Sequence, residues 1–67
     1  MARITIRGSY EKYADVLKLI SDKGALIIRS RIYTDPVEGS MFEVKIKMSK
    51  RRYSKCAHEF AQLGNLN

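Results

Sequence analysis

The order of hydrophobic periods predicts an α+β domain of the form β-α-β-β-α, a three-stranded antiparallel or mixed sheet with two helices on one face. Three observations predict it. Three segments alternate apolar and polar residues with the period of two that a half-buried strand needs, two segments carry apolar residues at i, i+3, i+4 and i+7, and Gly, Pro, Asp and Ser gather in the breaks between them.

Ala2 to Arg7 alternates cleanly and is the first strand. Gly8-Ser9 breaks it and supplies an N-cap, with Glu11 placed to suit the positive end of a helix dipole. The first helix runs from Tyr10 to Lys23 on a stripe of Tyr10, Tyr13, Ala14, Val16, Leu17 and Ile20, with Leu19 pointing elsewhere. Gly24 is placed to end it in the left-handed conformation. Ala25 to Thr34 is rich in β-branched residues and is the second strand. Asp35-Pro36-Val37-Glu38-Gly39-Ser40 holds the turn residues of a hairpin, and Met41 to Ser49 returns as the third strand. Ser49 caps a second helix, in which Tyr53, Cys56, Ala57, Phe60 and Leu63 share one face up to Gly64.

The crossover from the first strand to the second is expected to be right-handed, and the short link to the third calls for a hairpin. Together they put the third strand between the other two. The predicted apolar face is Ile4, Ile6, Leu26, Ile28, Ile32, Phe42, Val44, Ile46 and Met48, covered by both helices. This order resembles a ferredoxin-like fold lacking its last strand, since Asn65-Leu66-Asn67 is too short for a full one. Such folds host many unrelated functions. A missing fourth strand leaves the first as an open edge through which two copies could pair as a homodimer; alternatively, Arg3 and Arg7 there only keep the edge soluble.

The other face of this sheet carries charge of one sign. Alternation puts Arg3, Arg7, Arg29, Arg31, Lys45 and Lys47 on it against one acid, Glu43, with Tyr33 as its one aromatic residue. Most of the remaining acids lie elsewhere, with Glu11, Asp15 and Asp22 on the first helix and Asp35 and Glu38 in the turn. A face that serves solubility alone mixes both signs, whereas segregation is the footprint of polyanion binding. Lys50, Arg51, Arg52 and Lys55 extend it at the start of the second helix, where cations oppose the helix dipole and a bound phosphate or carboxylate would offset that cost.

Whole-chain quantities set the bounds. Sixty-seven residues make a single small domain, residues 1–67, and a chain this short buries only about 60% of its unfolded surface. Thirteen Lys and Arg against seven Asp and Glu give a net charge of +6, which favours nucleic acid or acidic protein surfaces as partners. No apolar run reaches the roughly 20 residues of a membrane span, and the Arg-bearing opening does not read as a secretory signal. A lone Cys fits a reducing, cytoplasmic setting.

Catalysis is not expected. Cys56 and His58 lie two residues apart on a helix, so they point to opposite sides and make no nucleophile–base pair. One Cys and one His do not complete a tetrahedral zinc site, no Gly-rich phosphate loop is present, and no cofactor is implied. Tyr10, Tyr13, Tyr53, Phe42 and Phe60 fall on core stripes, and the paired aromatics of base-reading RNA modules are absent. The expected function is therefore a non-enzymatic binding protein that engages DNA or RNA phosphates with little sequence specificity. The alternative is a small regulator or inhibitor that docks its basic face on an acidic protein surface. A third reading, a dimeric sensor of a small ligand, draws only on the fold analogy.

Overall fold

The computed structural model describes residues 1–67. Strand β1 (Ala2–Ser9) leads through a 3-10 turn (Tyr10–Lys12) into helix α1 (Tyr13–Asp22); β2 (Leu26–Asp35) and β3 (Gly39–Met48) form a hairpin, and helix α2 (Lys50–Ala61) leads to β4 (Asn65–Leu66). All pairings are antiparallel in the order β2-β3-β1-β4, so β3 lies between β1 and β2 as expected.

The sheet has four strands, not the three expected. Asn65 and Leu66 pair with Arg7 and Ile6, and Thr5 and Asn67 exchange backbone hydrogen bonds of 3.0 and 2.9 Å. The edge of β1 is therefore occupied at Thr5–Arg7, while Ala2–Ile4 has no strand on that side. Two glycines permit the close approach. A Cβ on Gly64 would sit 2.5 Å from the Arg7 carbonyl oxygen, and one on Gly8 would sit 2.8 Å from the Phe42 ring.

Local signals explain the ends of both helices. Gly24 adopts φ +70°, and the Ala25 N–H donates to Ile20 O while the Gly24 N–H donates to Ser21 O, which together close α1 as a Schellman motif. The Ser49 hydroxyl accepts from the Arg52 N–H at 3.2 Å and caps α2. Ser9 precedes the 3-10 turn but makes no side-chain cap bond, so the regular α-helix starts at Tyr13 rather than Tyr10.

The core is Ile4, Ile6, Val16, Ile20, Phe42, Val44, Ile46, Met48, Cys56 and Phe60. It takes the even-numbered positions of β1 and β3, opposed as Ile4 to Ile46 and Ile6 to Val44. Four expectations about the core are corrected. Ile28 and Ile32 are 46% and 48% exposed, because the helices cover β1 and β3 and leave β2 bare. Leu26 is turned to the other face: Ile28 is the extra residue of a bulge, which opposes Ile27 to Ile46 and Leu26 to Lys47. Tyr10 is exposed, its ring stacked on Tyr13 with centroids 6.1 Å apart, and Ala14 is exposed as well. Leu19, by contrast, packs partly buried against the core.

The principal extents are 36 × 20 × 19 Å. The long axis matches a ten-residue strand at about 3.3 Å per residue, so the β2–β3 hairpin sets the length of the molecule. No helix is long and apolar enough to cross a membrane.

Candidate polyanion-binding face

On the face of the sheet turned away from the helices, three ladder rows carry the basic side chains, and a fourth, Ser9, Met41 and Tyr33, lies beside them. Arg7, Glu43 and Arg31 form the first, Thr5, Lys45 and Arg29 the second, and Arg3, Lys47 and Leu26 the third. The six expected cations thus share one surface, and Thr5 and Leu26 join them. Thr5 belongs to the odd positions of β1, so alternation alone points to it; Leu26 arrives there only through the bulge.

The rows differ in their electrostatics. Glu43 lies between two arginines, bonded to Arg7 Nε at 2.5 Å and to Arg31 Nε at 2.9 Å. Hydrogen bonds from Arg31 and then Arg7 hold its carboxyl down to about 2, and the same contact with Glu43 raises Arg31. Arg31 also lies over the Tyr33 ring, with its Cζ 4.6 Å from the centroid. This row is internally neutralised in part.

In the other two rows like charges stand opposite each other. Lys45 faces Arg29 and Lys47 faces Arg3, and none of the four has an acidic partner. Directly opposed like charges destabilise a sheet by a few tenths of a kcal/mol to about 1 kcal/mol. Thr5, Arg7, Arg29, Glu43 and Lys45 line a shallow polar depression in the middle of the face. Its lining combines a hydroxyl, the Glu43 carboxylate with its bonded Arg7, and two cations without an acidic partner, Arg29 and Lys45.

The cluster at the start of α2 divides in two. Arg52 supports the fold, since its Nη1 donates to Lys23 O at 3.4 Å and puts a cation on the C-terminal end of α1. Lys50, Arg51 and Lys55 are exposed, with no acid in the first turn of α2. Leu26, Lys47 and Arg52 line one depression at the end of the sheet, so Arg52 is the member of this cluster that borders the basic face there. Helix α2 begins at Lys50, so Lys50, Arg51 and Arg52 sit on its positive end and Lys55 one turn further on.

Cys56 is buried, and burial raises its thiol; His58, two residues on, is exposed. Glu59, next to His58 in the chain, pairs with Lys23 at 2.9 Å and ties α2 to the end of α1. That contact raises the Lys23 ammonium. No group of three or more metal-ligand side chains gathers anywhere in the chain. Neither a comparison with known protein-family models nor one with curated proteins finds a match to this chain.

Proposed function

We propose that the protein is a small non-enzymatic binding module that holds nucleic-acid phosphates on Arg3, Arg29, Lys45 and Lys47, with Lys50, Arg51 and Lys55 extending the track. One observation carries the reading: two opposed like-charge pairs, Lys45 with Arg29 and Lys47 with Arg3, stand on an open sheet face with no acid bonded to any of the four. An arrangement that costs stability in the free protein gains when phosphates settle between the cations. Arg7 and Arg31 are held by Glu43, so they shape the face more than they supply free charge. Tyr33 lies under Arg31, which leaves few aromatic platforms for bases, so contact is to the backbone and sequence preference is weak.

The second reading is a regulator that docks the same face on an acidic protein surface. The stacked Arg31–Tyr33 pair favours it, because Arg and Tyr are frequent anchors at protein interfaces.

Fluorescence anisotropy of labelled DNA and RNA of increasing length, at low and physiological salt, separates the two. Phosphate binding gives affinity that grows with length and a log–log salt slope near −0.9 per contacted phosphate on duplex DNA, or about −0.7 on single strands. Binding that is weak and indifferent to length moves the assignment to an acidic protein. Arg29→Glu combined with Lys45→Glu abolishes binding in either case while the circular dichroism spectrum is kept.

A further inference from the structure

Strand β2 has properties that neither the core nor the basic face uses. It pairs with β3 on one side only and lies at the end of the sheet, so every second N–H and C=O along it points outward. On the helix side, Ile27 and Ile32 are 49% and 48% exposed, and Val37 in the adjoining turn is 88% exposed. Long apolar edges of this kind pair with another strand unless something covers them.

We infer that β2 pairs antiparallel with β2 of a second copy, about a two-fold axis through Ile32, joining two sheets into one. The argument is one of register. From Arg29 to Asp35, odd-numbered side chains lie on the basic face and even-numbered ones on the helix face. Continuous faces therefore require odd opposite odd, which a two-fold through a single residue satisfies.

Centred on Ile32, every opposed pair is favourable. Ile32 meets Ile32 of the other copy, and Ser30 meets Thr34 on the same face. On the basic face Arg31 meets Tyr33, and Arg29 meets Asp35, each twice by symmetry. Arg29 has no acidic partner in the single chain, and Asp35 engages the Val37 and Glu38 N–H groups through one carboxylate oxygen only. Beyond this stretch, Val37 of one copy comes alongside Ile27 and Ile28 of the other.

The neighbouring registers are poorer. A two-fold at Ser30 opposes Arg29 to Arg31, and one at Arg31 opposes that arginine to itself. A two-fold at Tyr33 shortens the pairing to 31–35 and places Asp35 on Arg31, which already holds Glu43. The bulge at Ile28 lies just outside Arg29–Asp35 and leaves that stretch regular. The occupant is thus a second copy rather than an unrelated peptide, because the strand is complementary to itself in charge and in polarity.

Cysteine cross-linking reads the register directly. Opposed Cα atoms in an antiparallel pair are about 4.5–5.5 Å apart, within the range a disulfide spans. Ile32→Cys forms a covalent dimer under mild oxidation, whereas Thr34→Cys alone, roughly 13 Å from its own copy in this register, does not. A mixture of Ser30→Cys and Thr34→Cys proteins gives the mixed dimer. Cys56 is buried and stays out of the reaction. Sedimentation at high salt, where phosphate contacts are screened, shows a concentration-dependent dimer for the unaltered protein and a folded monomer for Ile32→Lys. A protein that stays monomeric at the highest attainable concentration overturns the inference, as does Thr34→Cys cross-linking to itself as fast as Ile32→Cys. No nucleic acid enters these measurements, so their outcome is independent of the phosphate-binding assay.

Discussion

Glu43 sets the balance of the basic face, because one carboxylate occupies two of its six cations. Glu43→Gln is expected to free Arg7 and Arg31, tighten phosphate binding and steepen the salt slope by about 1 to 2. The same change lowers the unfolding free energy read from urea titration, by less than about 1 kcal/mol, because both arginines are half exposed and water screens the pair. Its acid dependence has a definite sign. A carboxyl held at about 2 when folded, against about 4.3 when unfolded, adds stability above the unfolded value and loses it as pH falls between the two. Acid titration of Glu43→Gln should therefore show a flatter stability loss over that window than the unaltered protein. Lys45→Gln is expected to do the opposite to function: it relieves the opposition to Arg29, raises stability by about 0.2–1 kcal/mol, and weakens phosphate binding. A variant that gains stability while losing affinity is the signature of charge kept for binding, and a parallel loss of both would count against it. Alternation makes the membership of this face legible in the sequence. It does not show that Glu43 sits between Arg7 and Arg31, because that depends on how three separate strands are registered.

Ser49 and Gly64 carry the tests at the level of elements. Ser49→Ala removes the cap of α2 at a cost of about 1 kcal/mol, and three cations in the first turn leave nothing acidic to take its place. Gly64→Ala pushes a methyl group against the Arg7 carbonyl and is expected to detach β4 from β1, seen as lost protection of the Thr5 amide. The Ser49 cap, the left-handed glycine and the hairpin turn are all legible in the sequence, since each rests on a few neighbouring residues. β4 is not, because two residues have no period and their pairing comes from tertiary proximity. The exposure of β2 escapes a sequence reading for a related reason. Period two marks Ile28 and Ile32 as a face, but only the placement of α1 and α2 decides whether that face is covered, and the bulge at Ile28 reverses Leu26.

At the scale of the whole molecule, charge is sorted along a 36 Å axis. Asp35 and Glu38 lie at the hairpin turn, while Lys47, Lys50 and Arg51 lie where β3 hands over to α2. On the proposed reading, a net charge of +6 draws polyanions to the protein, so association rates are expected to fall steeply with ionic strength in stopped-flow measurements. The sorting is legible from residue order alone; which edge of the sheet stays open is not. That open edge also makes β2 its own reporter. Amides of β3 are locked between two neighbours, whereas along β2 only alternate amides are bonded to β3, so hydrogen exchange should split this strand into slow and fast positions in strict succession. Any strand that docks there would slow the fast set and leave the slow set nearly unchanged, turning a missing neighbour into a residue-by-residue clock of occupancy.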